Sequence, residues 1–137
     1  MEKNTMKNTL FLFLLVAATS TQAQKITPAL QKSIDAGKEL YMINCQSCHM
    51  EQGEGLEGVF PPLAKSDYLM ADKKRSIRQI INGASGSMKV NGITYEGEMQ
   101  GYPLSDQEVA DLLNYIRNSF GNKGGMTTPA EVAAARK

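Results

Sequence analysis

Five consecutive residues, Cys45-Gln46-Ser47-Cys48-His49, hold both cysteines and the one histidine of a 137-residue chain. Soft-ligand chemistry is thus confined to a single turn of backbone, and the fold must be organised around it. On a helical turn, residues three apart share a face, so two thiols can meet one edge of a flat ligand while the next side chain turns an imidazole beneath it. Cys-x-x-Cys-His is the pattern in which two thiols bond the vinyl groups of haem and the adjacent histidine coordinates iron. Three other chemistries fit less well. A structural zinc site takes four Cys or His ligands, and this chain owns three. A thioredoxin-like pair belongs in a strand-helix-strand setting, and no β-branched run precedes Cys45. A plain disulfide leaves His49 without a role. The residues predict one covalently attached haem c, with Cys45 and Cys48 as its anchors and His49 as one axial ligand.

The first residues are set aside from the fold. Lys3 and Lys7 lead into the apolar run Leu10 to Ala18, followed by the small and polar Thr19-Ser20-Thr21-Gln22-Ala23. That is the layout of a secretory signal peptide, with cleavage expected after Ala23. An uncleaved membrane anchor is the alternative; both export the domain, here to a periplasm. The 15 basic and 14 acidic side chains lose Lys3, Lys7 and Glu2 with the leader, leaving 13 of each. A neutral exported chain is not a nucleic-acid binder, and no stable membrane insertion is expected after cleavage. Charge is nonetheless uneven. Glu51, Glu54 and Glu57 form an acidic cluster, and Lys65, Lys73, Lys74, Arg75 and Arg78 a basic one. A solvated face is the simpler reading of the basic cluster and a docking patch the other.

Periodicity and caps predict helices. Ile34, Leu40, Tyr41 and Ile43 recur as one apolar side before the motif, and Val109, Leu112, Leu113, Ile116 and Phe120 as another near the end. Ser105 with Glu108 three residues on offers a capping box, and Gly121 is the expected stop. Thr128-Pro129-Ala130-Glu131 opens a short terminal helix. A further helix is expected near Asp72 to Asn82, with Ile77, Ile80 and Ile81 on its apolar side, and the remainder reads as loop. The domain organisation is 1–23 leader, 24–32 lead-in, 33–121 haem domain, and 122–137 a Gly-rich flexible joint with an appended helix.

Iron has two axial positions and there is no second histidine. Of the methionines beyond the leader, Met42 and Met50 are tied to the proximal side and Met126 sits in the tail, which leaves Met70, Met88 and Met99. Met99 lies in a turn-rich passage, Gly92 to Pro103, able to wrap the distal face. Met88, in Gly86-Ser87-Met88-Lys89, is the runner-up, and core filling is the ordinary use of the others.

With these residues in place, the chain resembles the monohaem class I c-type cytochromes over roughly Asp35 to Arg136. Gly37 and Tyr41 stand where that family keeps a glycine and an aromatic on its first helix, and Leu112 and Tyr115 match the leucine and aromatic of its last. The resemblance implies an all-α fold in which N- and C-terminal helices cross beside one covalent haem, with long loops. It further implies Met99 as distal ligand, in the string Val90-Asn91-Gly92-x-x-Tyr95-x-Gly97-x-Met99, although Gln100-Gly101 stands where the family commonly has proline, an insertion expected to loosen the loop. Phe60-Pro61-Pro62-Leu63 resembles the segment whose proline carbonyl accepts the ring proton of the iron-bound histidine, which makes Pro61 or Pro62 the second-shell residue.

His/Met ligation fills both axial sites, so the function implied is single-electron transfer between redox protein partners, a donor and an acceptor, rather than catalysis. The resemblance extends to cytochrome domains serving nitrite reductases, oxidases and dehydrogenases, which keeps a complex subunit as the alternative. A five-coordinate haem binding gas or peroxide is the remaining class.

Overall fold

A computed structural model describes residues 25–137; the expected leader lies outside the described residues. Six helices and one hairpin follow in the order α1 Pro28–Asn44, α2 Gln46–His49, α3 Asp67–Ala71, α4 Lys73–Asn82, β1 Gly83–Val90, β2 Ile93–Gln100, α5 Asp106–Arg117 and α6 Pro129–Ala135.

Each longer helix starts where a side chain can take up a free amide. Thr27 caps α1 and Asp72 caps α4, where the carboxylate accepts the Arg75 N–H at 2.9 Å. Ser105–Glu108 and Thr128–Glu131 both form the expected reciprocal boxes. The stop of α5 differs from expectation: the helix ends at Arg117, and a turn carries the chain through Phe120 and Gly121, both at positive φ.

The core forms where α1 lies against α5. The buried stripe of α1 is Leu30, Ser33, Gly37 and Tyr41, whereas Ile43 is 77 % exposed and faces solvent. Gly37 is required there: a Cβ would run into the Asp111 carbonyl and lie 2.8 Å from the Tyr115 Cβ. Tyr41, Tyr115 and Phe120 pack mutually in tilted and edge-on pairs at centroid distances of 5.2 to 5.4 Å. Ile77 and Ile80 of α4 join this core, with Ile81 half-buried at its edge.

The all-α expectation and the loop assigned to Gly92–Pro103 are corrected by the hairpin. β1 and β2 pair antiparallel from Gly83↔Gln100 to Val90↔Ile93. Asn91 (φ 49°) and Gly92 (φ 86°) make the two-residue turn, the left-handed pair that matches strand twist. Gly101 does not loosen the exit from β2. A Cβ there would strike the Ile81 carbonyl and approach the Asn82 carbonyl carbon at 2.8 Å, so the glycine permits close packing on α4.

The segment 122–137 is also no slack appendage. Val132, Ala135, Thr127 and Asn122 are buried. Asn114 of α5 donates to the Thr127 carbonyl at 2.9 Å and accepts the Thr127 N–H at 2.6 Å. Arg78 donates to the Ala135 carbonyl, and Lys73 pairs with Glu131 at 2.6 Å. Lys73 and Arg78 of α4 are thereby occupied within the molecule, and Arg75 lies 3.6 Å over the Tyr68 ring.

Candidate haem site

Cys45 ends α1 and opens α2, its N–H still bonded to the Tyr41 carbonyl at 2.9 Å. The short turn that follows places Cys45, Cys48 and His49 together on one wall of a cavity of about 760 Å³. Both thiols are free, Cys45 buried and Cys48 exposed. Burial, and then the neighbouring Cys48, push the Cys45 thiol up to about 12. It is held protonated, unlike the low-pKa thiolate of a redox pair.

Three contacts fix the histidine. Tyr41 Oη donates to the Met50 carbonyl at 2.7 Å, the Gly55 N–H to the His49 carbonyl at 3.0 Å, and His49 Nδ1 stands 2.9 Å from the Pro61 carbonyl. A carbonyl only accepts, so Nδ1 carries the proton and Nε2 keeps its lone pair for a ligand. Burial lowers the imidazole's pKa, with the Pro61 bond acting in the opposite sense; the neutral, metal-binding form is favoured. Pro62 lines the cavity, but the carbonyl at the ring nitrogen is that of Pro61.

The opposite wall is the hairpin. Alternation along the strands puts Ala84, Gly86, Met88 and Val90 on one face with Tyr95, Gly97 and Met99. Met88, Met99, Tyr95 and Val90 all line the cavity, whereas Met70 packs against the core and does not. The hairpin is secured at both ends. Asn91 and Asp67 exchange two bonds at 2.8 and 3.0 Å, and at the base the Tyr102 N–H donates to the Ile80 carbonyl at 2.9 Å. Tyr102 Oη donates to the Asn44 carbonyl at 2.7 Å, tying the foot of the hairpin to the residue before Cys45.

A haem fits this cavity. Its volume lies within the range of roughly 300–1,000 Å³ that small-molecule sites occupy. The lining is mainly apolar, with Val59, Phe60, Leu63, Leu69, Ile80, Leu113 and Ile116 among its walls. On the hairpin face, Gly97 lies opposite Gly86, and a Cβ at either would meet nothing within 4 Å. This leaves the wall flat between the two methionine rungs, a shape suited to a planar ring.

The cytochrome c family model matches residues 34–120. The chain belongs to the cytochrome c family. Among its relatives, cytochrome c-552 of Thermus thermophilus is 32% identical over 85% of this chain and 74% of its own length. The cytochrome c subunit of the quinone alcohol dehydrogenase of Gluconobacter oxydans is 35% identical over 70% of this chain, which spans only 20% of that protein. The FixP subunit of the cbb3-type cytochrome c oxidase of Bradyrhizobium diazoefficiens is 30% identical over 78% of this chain and 37% of its own length. Membership makes this cytochrome an electron carrier with a covalent haem c, and the Cys-x-x-Cys-His motif is consistent with that cofactor.

Val90 and Tyr95 stand in the string that carries Met99, but their role as cavity wall was not assigned from the sequence, nor was that of Tyr102 as the hairpin's tether. The first two were marked by Asn91-Gly92 between alternating residues. Tyr102 carried no local signal, since its acceptor is 58 residues away.

Proposed function

We propose that this cytochrome is an exported, periplasmic single-electron carrier whose haem iron is held between His49 and Met99, with no catalysis of its own. The observation that supports this best is the pairing of walls: Cys45, Cys48 and a His49 already committed through Nδ1 on one side, a methionine-bearing hairpin on the other. When bound, haem supplies a ferric/ferrous couple. Cys45 and Cys48 tether it, His49 presents Nε2, and Met99 offers a thioether. Leu69, Ile80, Leu113 and Ile116 exclude water, and the two anchored hairpin ends keep the distal wall in place through oxidation and reduction.

The redox partners are a donor and an acceptor protein. The relatives named as dehydrogenase and oxidase subunits favour a second reading, in which this chain is held in a complex of that kind. Purification from the native source separates the two: co-elution with a large partner identifies a subunit, and a free small protein a shuttle. Among the described residues no helix is long and apolar enough to cross a membrane. Absorption spectroscopy tests the ligation. A weak far-red methionine-to-iron band in the oxidised protein, with no rapid carbon monoxide binding after reduction, is expected. A missing band together with rapid carbon monoxide binding refutes the His/Met assignment and favours the five-coordinate class.

A further inference from the structure

Asn122 lies beyond the segment that the family model matches, in a stretch whose composition promises a slack joint. It is nevertheless 7 % exposed, and its Nδ2 donates to two carbonyls, Leu63 O at 2.8 Å and Ile116 O at 2.9 Å. Two carbonyl acceptors fix the amide's orientation, because only the NH₂ end can serve both. The amide oxygen, in turn, is buried without a partner. An apolar residue would avoid that unsatisfied oxygen but would leave both carbonyls bare, so it is the two donors that this position supplies.

One of the acceptors lies close to the iron's expected ligand. Leu63 is two residues from Pro61, whose carbonyl stands 2.9 Å from His49 Nδ1. Pro61 and Pro62 have no N–H, so this stretch of loop is held mainly through its carbonyls. The Leu63 and Ala64 N–H groups both return to the Gly53 carbonyl at 2.8 Å, closing the loop on itself. Its far end reaches the helical body through Asn122 at Leu63 and through the Lys65 N–H, which donates to the Phe120 carbonyl at 3.2 Å.

We propose that Asn122 is a positioning residue for His49: by holding the Leu63 carbonyl against the end of α5, it keeps the Pro61 carbonyl on the histidine's ring N–H. The inference rests on His49 as axial ligand. A histidine that donates to a carbonyl is a more basic ligand and favours ferric iron. Loosening the bond therefore raises the reduction potential.

The test compares Asn122→Leu, which nearly keeps the volume but has no donor, and Asn122→Ala with Val132→Ala, which weakens the tail's packing and keeps both Asn122 donors. In the haem-loaded protein both Asn122 variants are expected to show a higher potential and an altered ring-proton resonance of His49. The Leu63 and Ala64 amides should exchange about five- to tenfold faster, the loss of one ordinary hydrogen bond. Val132→Ala should lower the melting temperature and leave the potential where it was. An unchanged potential in the Asn122 variants, or an equal shift in Val132→Ala, overturns the proposal. A wild-type protein without His49 ligation overturns the functional reading itself, whereas an unmoved potential in a His49-ligated protein overturns this inference alone.

Discussion

Met88 and Met99 point from one hairpin face into one cavity, and their register separates them. Met88 pairs with Tyr95 and Met99 with Ala84, so the two methionines sit on backbone rungs four residues apart along the sheet, roughly 13 Å at strand spacing. Without a shift of the hairpin they cannot serve the same coordination position. Met99 is the rung nearer the base, where Tyr102 connects the hairpin to Asn44 beside Cys45; Met88 is nearer the turn, which is fastened to Asp67 instead. Replacement of Met99 by alanine is expected to open the iron, admit carbon monoxide to the reduced protein, and lower the potential by on the order of 0.1 V, a modest part of the roughly 0.8 V that axial ligands span. Met88→Ala should leave the far-red band intact. The opposite result, with the band lost only in Met88→Ala, would transfer the ligand assignment to Met88.

At the scale of elements, the helix crossing is the feature most sensitive to a single atom. Gly37→Ala gains about 1 kcal/mol of helix propensity. The same Cβ is driven into the Asp111 carbonyl and to 2.8 Å from the Tyr115 Cβ, contacts with a neighbouring helix rather than with a flexible side-chain end. Overpacking of that kind costs about 1–3 kcal/mol, and the upper end applies where backbone must move. A net destabilisation of about 2 kcal/mol, a fall in melting temperature on the order of 10 °C, is expected; a melt equal to wild type would show that the helices part easily. This crossing was legible in advance because Gly37 and Tyr41 stand eight and four residues before Cys45, and Leu112 and Tyr115 match the leucine and aromatic of the last helix in the family that the chain resembles. So were the capping boxes at Ser105 and Thr128, whose partners lie three residues away. The hairpin was missed because Gly83-Ala84-Ser85-Gly86-Ser87 has almost no β-branched or aromatic content. Its strand character comes from the Asn91-Gly92 turn, from the ladder with β2 and from the bonds that anchor both hairpin ends. Ile43 misled for the converse reason, since an apolar residue at helical spacing need not face the core.

Across the whole molecule, the last sixteen residues act as a clasp on α4 and α5, which composition could not disclose. Lys123-Gly124-Gly125 looks like a joint, but Asn122 and Thr127 on either side are buried and bonded, and their partners Leu63, Ile116 and Asn114 lie outside the tail. One bond of the clasp titrates. Glu131 accepts from Lys73 at 2.6 Å and from the Thr128 N–H at 2.8 Å, and these partners, Lys73 first, hold its pKa below the ordinary 4.5. A carboxylate whose folded pKa is depressed stabilises the fold above the unfolded value and loses that contribution as pH falls through the folded one. The pair is partly open to solvent, with side chains 29 and 42 % exposed, so its worth is below about 1 kcal/mol and falls with salt. Thermal melts of wild type and Glu131→Gln should therefore differ at neutral pH and low salt. The difference should shrink once the pH drops below about 4.5 and vanish when Glu131 is protonated in the folded protein as well. A gap that persists unchanged into acid would mean that the charge of Glu131 contributes nothing through either Lys73 or the Thr128 amide.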